Sequence, residues 1–176
     1  RNGTSYFTGN SGDGDAYGFA MGHVEGVVDI DGELKPHIVI DLLYRKKAPS
    51  GGGEVDLGEV RHFIYELRDG RPRARLKKVT YDGFESTDTR QQLRKKRFDV
   101  EYVSVDKTLV PYYDLRDALY EGRIEIPPYV VHPRPGSVDL VQIAVKELCE
   151  LVDNGKKIDH PVNGSKDVAD CIAGVT

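Results

Sequence analysis

The 176-residue chain has no tryptophan, one methionine and only two cysteines. So few thiols exclude a disulfide framework. Cys149 and Cys171 lack metal-ligand spacing, and both fall in helical patterns, so they are expected to be reduced core residues of a cytosolic protein. No apolar run approaches the ~20 residues a membrane helix needs, and the N-terminus has no signal-peptide pattern. No membrane partner is expected. A Gly-x-x-x-x-Gly-Lys-Ser/Thr loop is missing, which excludes nucleotide binding by a P-loop. Gly9, Gly12 and Gly14 are not followed by a helical pattern, so no dinucleotide site is expected. There is no Gly-x-Ser-x-Gly elbow and no internal repeat. The five histidines are scattered. Only His160, beside Asp159, lies near other chemistry, and a structural or solvated role is its ordinary reading.

What is present fits one globular domain over residues 1–176, with 39% hydrophobic and 31% charged residues. The net charge of −4 argues against a protein that simply coats DNA. The basic residues are nevertheless bunched. Arg71, Arg73, Arg75, Lys77 and Lys78 form one run, and Arg90, Arg94, Lys95, Lys96 and Arg97 form another. Either run alone reads as a solvated face. Two in one small acidic domain mark a nucleic-acid path, with Arg73, Arg75, Lys77, Arg90, Arg94 and Lys95 as the expected DNA contacts.

The periodicity predicts an α/β fold. Ser5–Thr8 reads as a short strand and Gly9–Asp15 as a loop offering Asn10, Asp13 and Asp15 as oxygen ligands. Strands follow at Ala16–Val28 and Pro36–Ala48, joined by a turn at Asp29-Ile30-Asp31-Gly32, where Asp-Gly favours a hairpin, which makes a three-stranded antiparallel meander. A helix capped by Asp56 runs to about Arg68, with Val60, Phe63, Ile64 and Leu67 as its stripe. A strand at Leu76–Tyr81, a helix from Ser86 or Thr87 to Lys95, and a strand at Val100–Val105 follow. Pro111–Glu121 is a helix with Tyr112, Leu115 and Leu119 on one face, and Arg123–Ile126 is extended. Ser137 caps a helix striped by Val141, Ala144, Leu148, Leu151 and Val152 and ended by Asn154-Gly155. After a short extended piece, Ser165 caps a last helix. Strand–helix–strand units imply parallel pairing, so a mixed sheet with helices on both faces is expected.

Asp82 directly follows a predicted parallel strand, where open α/β sheets collect ligands. Asp167 and Asp170, three apart, share one face of the last helix. With the Asn10–Asp15 loop, three separated segments can bring oxygen ligands to one end of the sheet. Hard divalent cations prefer such ligands. Two held there would activate a water and stabilise the leaving oxygen of a phosphodiester.

Three segments resemble the nuclease domain of the large terminase subunit of tailed bacteriophages. His160-Pro161-Val162-Asn163-Gly164-Ser165-Lys166-Asp167-Val168-Ala169-Asp170 resembles the family's closing motif. Thr80-Tyr81-Asp82-Gly83-Phe84-Glu85-Ser86 resembles its central motif. Asp15-Ala16-Tyr17-Gly18-Phe19-Ala20-Met21-Gly22-His23 resembles its second-strand motif. The resemblance implies a ribonuclease-H-like fold and two-metal cleavage of concatemeric double-stranded DNA, using Mg2+ or Mn2+. It implies Asp82, Asp167, Asp170 and the Asn10 position as catalytic, with Asp15 among the metal ligands. It further implies a fragment lacking its ATPase motor domain, partnership with that domain, the portal and the small terminase subunit, and work in the cytoplasm of a bacterial host. One departure stands out. The family's first-strand Asp is Asn10 here, and Thr8 replaces the preceding His. A neutral ligand holds a divalent cation less well, so weakened activity is expected. Two other readings remain. One is a Holliday-junction resolvase, which shares the last-helix Asp-x-x-Asp but keeps its first-strand acid. The other is a degenerate domain that grips DNA or a partner without cutting.

Overall fold

The computed structural model describes residues 5–11, 16–47, 54–70, 74–81, 87–105, 107–126, 140–162 and 164–176. Strands β1 (Ser5–Ser11), β2 (Ala16–Ile30) and β3 (Glu33–Lys47) form the antiparallel meander. Asp31 and Gly32 both have positive φ, 54° and 87°. That is the turn geometry that matches strand twist in a two-residue hairpin. The β1 strand is longer than its composition indicated. Asn10 and Ser11 pair across to Gly18 and Tyr17, so they belong to the strand and not to a loop.

Helix α1 (Leu57–Asp69) leads to β4 (Leu76–Tyr81), which lies parallel to β1. Asp56 caps α1 as expected, accepting from the backbone of Gly58 and Glu59. Helix α2 (Thr87–Lys95) then crosses to β5 (Val100–Tyr102), parallel to β4. The β5 strand stops three residues short of the predicted end. Helix α3 (Val110–Tyr120) leads to β6 (Ile124–Glu125), which pairs parallel with β3 at the far edge. The sheet order is β5-β4-β1-β2-β3-β6. The expected mixed sheet is therefore present.

Helix α4 (Leu140–Glu150) ends before the predicted Asn154-Gly155 stop. Val152 and Asp153 form β7 instead, paired with β8 (Ile158–Asp159), and Asn154–Lys156 turn the hairpin. Backbone pairing to Asp159 outcompetes the last helical turn, and Val152 is left exposed. Ser137 lies outside the described residues. Leu119 is also exposed, because Ala118 takes the inward position beside Tyr112 and Leu115. Cys171 is buried, but Cys149 is exposed on α4, which corrects its expected core placement. Helix α5 (Asp167–Ala173) closes the fold.

The helices cover both faces. Val60, Ile64 and Leu93 from α1 and α2 pack with Tyr17, Phe19, Val79 and Tyr81 on one face. Tyr112, Leu115, Ala144, Val168, Cys171 and Ile172 from α3, α4 and α5 pack with Ala20, Ile38, Ile40 and Leu43 on the other. The register between β2 and β3 shifts at Met21/Gly22 and leaves Asp41 as an extra residue on β3. Such a bulge reverses the alternation. Leu43 therefore joins Ile38 and Ile40, and Arg45 follows it onto the α5 face, while Tyr44 packs on the other. Among the described residues, no helix is long and apolar enough to cross a membrane.

Candidate functional site

The sheet end at which β1, β4 and β5 terminate is where their carboxyl ends meet. Tyr102, the last residue of β5, is in register with Tyr81, the last of β4. Tyr81 is in register with Gly9, one residue before Asn10. Asn10 in turn pairs with Gly18. The α5 helix reaches the same place because Gly18 has no side chain. A Cβ built there would collide with the carbonyl oxygen of Asp167. Gly22 makes the equivalent room for Val175, so α5 lies along β2 with its first turn at the site end. Asp167 and the backbone of Asn10 are thus brought to one place. Asp82, Asp13, Asp15, Ser86, Asn163 and Arg73 lie outside the described residues.

The first turn of α5 is held by a residue that sequence reasoning missed. Glu147, on α4, is only 4% exposed. Its Oε2 accepts from the backbone N–H groups of Val168 at 2.8 Å and Ala169 at 3.0 Å. Its Oε1 lies 2.9 Å from Ser165 Oγ. Those N–H groups are free donors of a helix start, so Glu147 does from another helix what Ser165 was expected to do locally. The N-cap residue itself is Lys166, with no side-chain cap bond. The available signal was an acid within an otherwise apolar helix stripe, a pattern shared with many solvated positions.

The two α5 carboxylates have different surroundings. Asp167 Oδ2 lies 3.1 Å from Ser165 Oγ and 3.3 Å from Arg45 Nη2. Arg45 Nη2 also donates to Ser165 Oγ at 3.2 Å, while its Nε is buried with no partner among the described residues. Asp170 is 2% exposed, accepts from the Tyr112 hydroxyl and lies 3.4 Å from Lys166 Nζ. Asp167 is therefore tied to β3 and Asp170 to α3. Among the described residues, no three His, Cys, Asp or Glu side chains are grouped so as to hold a metal ion.

His160 is turned to its own neighbours. Its Nδ1–H donates to the Pro161 carbonyl at 2.8 Å. The Asp159 carboxyl beside it is lowered from its ordinary range, first by its hydrogen bond from Lys157 and then by the His160 backbone N–H. On the opposite face, burial pushes the Tyr17 and Tyr81 hydroxyls well up.

The basic runs are divided by the fold. Arg75 and Lys77 stand on the first half of β4 and the residue before it. Arg94 donates to the carbonyl of Val100, the first residue of β5. Lys95 lies next to it, at the amino ends of the parallel strands. Arg90 lies one turn back, with its guanidinium 5.3 Å from the centre of the Tyr102 ring. Of the expected DNA contacts among the described residues, Arg90 is the one placed at the carboxyl end.

No protein-family model and no curated protein matches the sequence. Solved structures do match the fold. The large terminase nuclease of thermophilic phage G20c superimposes with a TM-score of 0.65 at 11% identity, covering 99% of this chain and 81% of that one. The P22 large terminase nuclease domain gives 0.58 at 13% identity, with 97% and 78% covered. The fold is that of a phage large-terminase nuclease. The large terminase of a second thermophilic bacteriophage gives 0.69 at 15% identity. The match covers 99% of this chain and 39% of that one, so this chain spans about two fifths of the larger terminase. The terminase nuclease fold also accounts for the ribonuclease-H-like order of the sheet, with the meander first and the parallel strands added to β1.

Proposed function

We propose that this chain is the metal-dependent endonuclease domain of a DNA-packaging terminase, acting on concatemeric double-stranded DNA. The observation that carries the reading is Asp167 placed beside the Asn10–Gly18 pair, at the carboxyl end of the parallel strands, in a terminase nuclease fold. The donors in question are oxygens, as Mg2+ or Mn2+ requires. Asp82, Asp167 and Asp170 would hold the ions, with Asp15 and Asn10 completing the set. When bound, they would supply an activated water and stabilise the leaving oxygen.

The chain's own residues prepare that site. Glu147 fixes the start of α5, and Ser165 links Glu147, Asp167 and Arg45. Arg45 offsets the charge on Asp167, which would be available to a bound cation. A large terminase of a thermophilic phage with this fold has been solved in complex with ADP. On this reading the chain would work as one unit of a longer polypeptide with an ATPase motor, with the portal and small terminase subunit as partners in the host cytoplasm.

A second reading is favoured by Asn10 itself. A domain with this fold and a neutral first-strand position would grip DNA without cutting it. Titration calorimetry with Mn2+ and plasmid cleavage, each on this chain and on Asn10→Asp, test both readings. The expected outcome is weak Mn2+ binding and slow nicking as written, with both rising in Asn10→Asp. Cleavage absent from both forms would leave the gripping role. Equal Mn2+ affinity in both would remove Asn10 from the ligand set.

A further inference from the structure

Two cations share one aromatic ring beside the site. Tyr102 ends β5 at the sheet edge and is 37% exposed. The Arg90 guanidinium lies 5.3 Å from its ring centre and the Lys107 ammonium 4.9 Å. A ring face attracts cations and fixes where they sit. Some other cations on this side of the sheet are neutralised by acids: Arg61 by Asp88 and Arg68 by Asp69. Arg90 and Lys107 have no carboxylate partner among the described residues. Arg90 donates to the Thr87 hydroxyl at 3.3 Å, and its Nε is a buried donor without an acceptor among those residues. Among the described residues the result is a pair of neighbouring cations without an acid partner, in a chain of net charge −4.

Its position gives it a use. Tyr102, Tyr81 and Gly9 stand on one rung of neighbouring strands. Two strand spacings of about 4.8 Å place Tyr102 about 10 Å from the end of β1. Phosphates of one DNA strand advance about 3.4 Å each along the axis. Because the strand also turns about the axis as it advances, its phosphates lie farther apart than this rise, and a strand with its reacting phosphate at the carboxylate end carries a nearby phosphate within reach of Tyr102.

We propose that Arg90 and Lys107, positioned by the Tyr102 ring, form a phosphate seat for one strand of the DNA. It would make sequence-independent contact, since a phosphate carries no base information. This rests on the nuclease reading above. Tyr102 acts as a positioning residue, and Lys107 lies outside both basic runs of the sequence.

The test is the salt dependence of binding to a fluorescent duplex of about 30 base pairs, read by anisotropy without divalent metal. Each phosphate contact contributes about 0.9 to the slope of log affinity against log salt. The double variant Arg90→Ala, Lys107→Ala is expected to lower that slope by about 1.8. Tyr102→Ala should lower it too, while Tyr102→Phe and Arg90→Lys retain it. The paired change Lys95→Ala, Lys96→Ala, which removes as much charge at the far end of α2, should lower it less. Thermal melts of each variant identify any that misfold, and the Arg90→Lys and Tyr102→Phe forms keep the comparison open if one does. An unchanged slope in the double variant, with normal binding by the parent chain, overturns this seat alone. A parent chain that shows no salt-dependent binding overturns the nuclease reading and the seat with it.

Discussion

The two faces of the sheet solve different problems. On the α1–α2 face, aromatic rings make the core. Phe19 lies 5.4 Å from Tyr44 and 5.7 Å from Phe63, and Tyr17 lies 4.7 Å from Phe19. On the α5 face, small residues line the contact between α5 and β2, and charges are buried beside it. Gly18, Ala20, Ala169 and Cys171 bring α5 against β2, while Glu147 and Asp170 sit nearly inaccessible. The first face gains stability from apolar area, a driving force without direction. The second gains position. Buried polar groups must meet particular partners, so each hydrogen bond fixes a register. The candidate chemistry is on the second face.

Substitutions on either face test that division. The largest expected effect is on the aromatic side. Phe19→Ala should cost about 3–5 kcal/mol in urea unfolding, because it empties a fully buried ring site. Among molecules that remain folded, Mn2+ affinity should be unchanged; a parallel loss would show that the faces are not separable. Glu147→Ala comes next, at about 3 kcal/mol, since two backbone N–H groups and Ser165 lose their acceptor. Here Mn2+ affinity should fall even in the folded protein, and Glu147→Gln should recover most of the stability by keeping an acceptor. Gly18→Ala should cost about 1–3 kcal/mol, as the added carbon meets backbone and forces α5 away from β2. Calorimetry should show weaker Mn2+ binding there as well.

The smallest effect is a pH-dependent one at the rim of the α5 face. Glu121, after α3, accepts from Lys35 on β3 and from Arg123. These bonds, Lys35 first, hold its carboxyl below its ordinary value of 4.5. A lowered value means the tie contributes fully above the ordinary value and is lost as pH falls through the folded one. The melting temperature of Glu121→Gln should therefore lie slightly below that of the parent at neutral pH. The difference should shrink as pH drops below 4.5 and vanish once the carboxyl is protonated. A gap that stayed constant with pH would assign the effect to packing alone.

The elements were largely readable because their signals are local. Alternation marked β2, helical spacing marked α1, and Asp56 capped α1 as its type predicts. Errors arose where distant pairing decided a boundary. Asn10 joined β1 because Gly18 lies opposite, and Val152 left α4 because Asp159 lies opposite. The place of Asp167 at the start of α5 was legible from its motif, and its sheet end followed from strand order. Glu147, Arg45, Tyr102 and Lys107 were not legible in that role. Nothing in their flanking residues marks them off from ordinary charged or aromatic surface positions.

Short stretches of chain were enough to set the alternation of strands and helices, the hairpin at Asp31-Gly32 and the acids at a strand end and a helix start. These depend on the torsional and hydrogen-bonding preferences of a few consecutive residues. Packing across layers was needed for the bulge at Asp41 to turn Arg45 toward Asp167, and for Glu147 to cap a helix about twenty residues away from it. Packing also divided the two basic runs, leaving Arg90 at the carboxyl end and Lys95 at the other. A charge has the same identity wherever the chain carries it, but its partner is set by contacts between layers, and that geometry is written in no single stretch.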